Sequence, residues 1–160
     1  MKHRLWAWLG AAVMSATAVA QEPGPIAWPP LRMVDGTVVA PDAWQGRPTI
    51  VVFWATWCSF CKRHNARVDK LHAALGGHGP RIVGVEIDGD AAATRRAALR
   101  NGWTFPIAVD DGRLRPAFTA RRTVPMTCLV DARSRLRQCI PGEMTEDDVL
   151  GLPRAFSREP

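Results

Sequence analysis

Two cysteines two residues apart, in Trp57-Cys58-Ser59-Phe60-Cys61-Lys62, follow directly on the apolar run Pro48-Thr49-Ile50-Val51-Val52-Phe53-Trp54. The run reads as a buried strand. Beyond the cysteines, Cys61, His64, Val68, Leu71 and Leu75 recur at steps of three and four, which places them on one narrow helical face. The strand-to-helix turn therefore falls at the cysteines themselves. A helix N-terminus offers N–H groups without intrahelical partners and about half a positive charge. Both favour a thiolate, the form of cysteine that attacks disulfides. A second thiol two residues on can close the ring and release the partner, so the pattern is that of a redox device.

The N-terminus carries the marks of export. Lys2 and Arg4 precede an uncharged apolar stretch from Leu5 to Ala20, and Ala18-Val19-Ala20 fits a small-residue cleavage site. Residues 1–20 are expected to be a secretory signal peptide, cleaved after Ala20. The stretch is shorter than the roughly 20 residues of a membrane span, and the alternative is an uncleaved membrane anchor. Export favours persistent disulfides and makes a reduced Cys-x-x-Cys dependent on an electron supply. A periplasm of the Gram-negative type is the expected location.

What remains, about 140 residues, suffices for one domain with a core. The chain has 21 basic against 15 acidic residues. The basic ones are mostly scattered arginines with no aromatic-interleaved stripe, so a solvated surface is expected rather than nucleic-acid binding. A monomer is expected.

Residues 21–30 hold four prolines and read as a flexible, Pro-rich leader; the folded domain is assigned to 31–160. Leu31–Val34 and Thr37–Val39 form a hairpin around Asp35-Gly36, and Trp44 anchors a turn over 41–46. The helix after the cysteines stops at Gly76-Gly77. A strand is expected over 81–87, a helix over 90–101 ended by Gly102, a short strand over 105–109 and a short helix over 113–120. Two strands follow, 126–130 and 136–140, with a helix over 145–152 capped by Thr145. The alternation of strands and helices predicts an α/β protein, mostly parallel in its sheet, with helices on both faces.

The pattern resembles the thioredoxin superfamily, and more closely its exported TlpA/ResA-like branch. Val52-Phe53-Trp54-Ala55-Thr56-Trp57-Cys58-Ser59-Phe60-Cys61-Lys62, Ile82-Val83-Gly84-Val85-Glu86-Ile87-Asp88, Thr123-Val124-Pro125-Met126-Thr127 and Leu129-Val130-Asp131 carry the resemblance. It implies a thioredoxin-like three-layer α/β/α fold with a mixed central sheet. It implies that Cys58 is the attacking cysteine, Cys61 the resolving one and Pro125 a cis-proline facing them. Trp57, Ser59, Phe60 and Val124 would meet the substrate. No cofactor is implied beyond the redox-active disulfide. The partners implied are protein thiol and disulfide substrates, with a membrane thiol-reducing system as electron donor. Reducing members of the branch serve c-type cytochrome maturation or copper-site assembly. A disulfide-inserting oxidase or isomerase stays open, because Ser59-Phe60 lacks both the proline common in reducing members and the histidine of strongly oxidising ones.

At His64 the sequence departs from this branch, where a Glu is frequent. His64 sits one turn below Cys61 and has three open roles: a proton carrier, an imidazolium that lowers the cysteine pKa, or a packed core residue. Glu86, at a strand end, is a second candidate for the carboxylate role, against a plain surface charge. Cys128 and Cys139 face each other if Asp131 pairs with Leu136 across the last hairpin. They are then a disulfide, structural or exchanging with Cys58–Cys61, or two buried thiols. Cys58, Cys61 and His64 at spacings of two raise a Cu(I) or zinc chaperone as a further alternative, although no metal site is assigned. Haem attachment is disfavoured, since Lys62 stands where Cys-x-x-Cys-His needs histidine.

Overall fold

The computed structural model describes residues 24–119 and 121–157. The expected signal segment 1–20 lies outside them. The chain forms β1 (Leu31–Met33), β2 (Val38–Val39), a 3-10 turn (Pro41–Trp44), β3 (Thr49–Trp54), α1 (Ser59–Leu75), β4 (Arg81–Glu86) and α2 (Ala91–Asn101). Then come β5 (Ile107–Val109), α3 (Arg115–Phe118), β6 (Met126–Val130), β7 (Leu136–Pro141), α4 (Glu146–Gly151) and a closing 3-10 turn (Leu152–Phe156). One sheet of seven strands takes the order β2-β1-β5-β4-β3-β6-β7.

All six residues of β3 are buried, because both of its faces are covered. Ile50, Val52 and Trp54 point to one side, where they meet Cys61, Val68 and Leu71 of α1, Ala97 of α2 and Val149 of α4. Val51 and Phe53 point to the other, toward Trp28, Trp44, Leu114 and Phe118. The steps from β3 to β4 and from β4 to β5 move the same way across the sheet, and right-handed crossovers then put α1 and α2 on the same face. Local signals behave as read. Gly76 and Gly102 close α1 and α2 in left-handed conformations, and the Thr145 hydroxyl caps α4 by accepting from Asp148 N–H at 3.2 Å.

Three readings need correction. The sheet is mixed, as the resemblance implies and unlike the mostly parallel sheet read from the alternation alone: only β3–β4 and β4–β5 are parallel pairs, while β1–β2, β1–β5, β3–β6 and β6–β7 are antiparallel. The connection from β5 to β6 carries only the single turn α3 and stays at the end of the sheet where β5 stops, so β6 starts there and runs the other way beside β3. The last hairpin is the second correction. Val130, not Asp131, pairs with Leu136, with a shift between Leu129 and Val130. Asp131 instead turns its carboxylate onto the N–H groups of Arg133 and Arg135 at 2.9 and 2.8 Å. Thirdly, the proline-rich leader is seated on the domain from Ile26 onward. Ile26 N–H donates to the Ser134 carbonyl at 2.7 Å, and Trp28 stacks on Trp44 at 5.0 Å. Two apolar side chains inside a polar, proline-rich segment are what allow it to dock.

Gly84 is required by close packing in the centre of β4. A Cβ there would lie 2.6 Å from Phe105 Cε2 and 3.2 Å from Trp54 Nε1. Gly84→Ala should therefore lower stability by about 1–3 kcal/mol, the usual cost of overpacking, read as a lowered midpoint in chemical denaturation of the oxidised protein. An unchanged midpoint would mean that the ring of Phe105 gives way freely.

Candidate active site

β3 ends at Trp54, and the chain turns through Ala55–Trp57 into α1. Cys58 is the N-cap of α1: its backbone is extended, and its Sγ accepts the Cys61 N–H at 3.1 Å. One of the orphan donors of the helix terminus is thus aimed at the sulfur. Cys58 and Cys61 are joined by a disulfide, with Cα atoms 5.2 Å apart. Cys58 is 8% exposed and Cys61 is fully buried, so only the first sulfur can be reached from outside. Around it, Trp57 is 70% and Phe60 57% exposed. Ser59 is exposed too, and the Arg63 guanidinium lies 4.8 Å from the Phe60 ring centroid, a cation–π contact. On the side of α2 a cleft of about 310 Å³ opens beside Cys58, lined by Trp54, Lys62, Arg100 and Trp103.

Across from Cys58 stands the start of β6. Met126 pairs with Phe53, which brings the preceding Val124–Pro125 peptide, a cis bond, to the cysteine. The Val124 carbonyl oxygen is 3.8 Å from Cys58 Sγ. The structure thus gathers Trp57, Cys58, Ser59, Phe60, Cys61, Val124 and Pro125 where β3 ends and β6 begins.

Residues 29–139 match the AhpC/TSA family. The chain belongs to that family. It is 29% identical over 107 residues to the thiol-disulfide oxidoreductase ResA of Geobacillus kaustophilus, a match covering 66% of this chain and 61% of that protein. The chain thus spans about three-fifths of the length of such curated relatives. Among solved structures it is similar to a secreted Mycobacterium tuberculosis disulfide oxidoreductase homologous to E. coli DsbE, with a TM-score of 0.70, 20% identity, and 79% and 95% of the two chains covered. It is also similar to the exposed lipoprotein thioredoxin Etrx1 of Streptococcus pneumoniae, with a TM-score of 0.66, 23% identity, and coverage of 79% and 98%. The fold is thioredoxin-like.

His64 is fully buried on the inner face of α1. Its Nδ1 accepts the Met144 N–H at 3.4 Å, so its proton sits on Nε2, which donates to Thr127 Oγ1 at 2.9 Å. Burial, and then the Arg67 charge, push its pKa down to about 4, against the pull of Glu143. The ring is neutral near pH 7, which removes the imidazolium reading. Both nitrogens are engaged, which also takes away the third ligand of a Cys58/Cys61/His64 metal site. Sequence reasoning missed Thr127 as the partner; a lone polar residue within the buried strand Met126–Val130 was the available signal.

Glu86 is buried at the end of β4 rather than exposed at the surface. It accepts the N–H groups of Asp88 at 3.0 Å and Gly89 at 3.2 Å. Burial pushes its pKa up to about 7, and the nearby Asp88 adds to the rise.

Cys128 and Cys139 are cross-strand neighbours and form a second disulfide, with Cα atoms 4.1 Å apart. It lies on the opposite face of the sheet from Cys58–Cys61, among Val51, Phe118 and Val130. Direct exchange between the two pairs would have to pass through the sheet, and the bond joins edge strand β7 to β6. Removing it in Cys128→Ala/Cys139→Ala should cost about 2–3 kcal/mol of stability, given the short loop it closes, and leave the Cys58–Cys61 midpoint potential in place. A shifted potential would make the second pair a relay.

The two buried ionisable groups act oppositely on stability. Glu86 rises from 4.5 to about 7 in the fold, so its contribution is full below pH 4.5 and lost as pH climbs through 7. His64 falls from 6.5 to about 4, so its contribution is full above pH 6.5 and lost as pH drops through 4. Relative to wild type, Glu86→Gln should gain stability as pH rises between 4.5 and 7, and His64→Gln should gain as pH falls between 6.5 and 4. Denaturation at stepped pH reads both; parallel profiles for variant and wild type would return ordinary pKa values to these groups.

Proposed function

We propose that this protein is an exported thiol–disulfide oxidoreductase. The carrying observation is the asymmetry of its cysteines: Cys58 reaches solvent at a helix N-cap, while Cys61 is sealed beneath it. In the reduced protein the Cys61 N–H and the α1 terminus stabilise a thiolate at Cys58. That thiolate attacks one sulfur of a substrate disulfide; the other sulfur leaves and takes up a proton. Cys61, deprotonated, then attacks Cys58 Sγ and expels the second substrate thiol. Two electrons have passed to the substrate, and the protein is left as the Cys58–Cys61 disulfide. Trp57, Ser59 and Phe60 give the partner an exposed rim, and Val124 offers it free backbone ahead of Pro125.

His64 packs as a neutral ring one turn below the reacting pair and supports the geometry from within. Glu86 is a buried carboxyl at that same end of the strands, opposite Trp54, and the candidate proton carrier there.

The direction is reduction, with electrons from a membrane thiol-reducing system and an apocytochrome or a copper-site protein as substrate. The similarity to proteins described as oxidoreductases supports the exchange chemistry, and the resemblance to the TlpA/ResA-like branch, whose reducing members serve such substrates, supports this direction. Similarity to proteins described as secreted or as an exposed lipoprotein, together with the apolar stretch ahead of Ala20, supports an extracytoplasmic place of action. The protein acts as a monomer.

The deciding measurement is the midpoint potential of Cys58–Cys61. A value near or below about −250 mV fits a reductase, whereas one above about −180 mV makes the protein an oxidant or isomerase. Cys58→Ser should abolish exchange with peptide disulfides, and Cys61→Ser should accumulate mixed disulfides visible by mass. Turnover by Cys58→Ser would reverse the assignment of the two sulfurs.

A further inference from the structure

The loop leading to Val124 borders a second cleft, of about 380 Å³, whose lining includes Ile87, Asp110, Arg115, Thr119, Arg121 and Arg122. Its charge is one-sided. Asp110 is buried, and its carboxylate is committed to the N–H groups of Gly112, Leu114 and Arg115 at 3.0–3.1 Å. Arg115 donates to the Arg121 carbonyl at 2.8 Å, which holds the two arginines at the same rim. Elsewhere Arg63 and Arg67 pair with Glu143, and Arg113 pairs with Asp111. Arg115, Arg121 and Arg122 have no acidic side-chain partner among the described residues. Three arginines therefore line a recess with a single carboxylate, and that carboxylate is already hydrogen-bonded.

The recess is joined to the reacting sulfur by the chain itself. Arg122 is two residues from Val124, at most about 7 Å along the backbone, and the Val124 carbonyl touches Cys58. A substrate segment extended past Cys58 advances about 3.3 Å per residue. Residues two or three positions from its reactive cysteine would then reach the arginines.

We propose that this arginine-lined cleft selects protein substrates whose reactive cysteine is flanked, two or three residues away, by acidic side chains. The inference rests on the oxidoreductase reading and adds the chemistry of the partner. Guanidinium pairs carboxylates in bidentate fashion, and a basic rim steers acidic partners to the sulfur.

The test uses the full chain and three disulfide peptides that differ only at those flanking positions, carrying Asp-Glu, Ser-Ser or Lys-Lys. The expected order of kcat/KM is acidic, neutral, basic, with about a tenfold gain of acidic over neutral at low ionic strength, the size of two partly exposed ion pairs. High salt should collapse the gain. Arg121→Glu/Arg122→Glu should reverse the order in favour of Lys-Lys, an outcome that misfolding cannot produce. Equal rates on all three peptides would overturn the proposal while turnover of the neutral peptide upholds the oxidoreductase reading; no turnover of any peptide would sink both. Equal rates, combined with charge-reversal-sensitive binding to phosphatidylglycerol vesicles, would assign the cleft to a membrane surface instead.

Discussion

Everything that reacts in this molecule is placed by the two hydrogen-bonded borders of β3. On one border β4 runs parallel, and on the other β6 runs antiparallel. Antiparallel pairing brings the beginning of β6 to the end of β3, so the Val124–Pro125 peptide and the cysteines are neighbours although 66 residues separate Cys58 from Val124. The pairing is secure because β3 has no solvent face. Burying each of its valine, isoleucine and phenylalanine side chains contributes about 1.5–3 kcal/mol, and a one-residue slip would send every one of them to the wrong layer. The buried strand gives the sulfur a fixed address, and the helix that follows gives it a polarity.

Local chemistry was the legible part. The turn from strand to helix at Cys58, the inner stripe of α1 and the glycine stops at residues 76 and 102 all follow from periodicity and backbone preference within a few residues. What escaped the sequence was set by contacts over long separations. The direction of β6 depends on the end of the sheet at which the chain from β5 comes in beside β3. The docking of Ile26 and Trp28 needs a surface assembled from Trp44, Phe118 and Ser134. The state of His64 depends on Thr127 and the Met144 N–H, 63 and 80 residues away. The register of Cys128 and Cys139 required only the two-residue period, but the irregularity beside Leu129 could not be read, because Asp131 had first to choose the turn amides over the ladder.

The two sulfur pairs divide their labour by the sheet that separates them. One lies at a helix terminus, with Cys58 just reaching the surface and Cys61 sealed beneath it. The other is enclosed at a strand pair, where Cys128 is fully buried. The second pair fastens β7 on the face away from the first, so the scaffold's own bond stands apart from the reacting one.

The seating of Ile26 fixes an orientation as well as a boundary. Its partner, Ser134, lies in the turn that closes β6 and β7, at the opposite end of the strands from the cysteines. Six residues of β3, about 20 Å of strand, stand between the two poles. Ile26 therefore sits at the pole of the domain away from Cys58, so the docked leader leaves the reacting end of the strands uncovered.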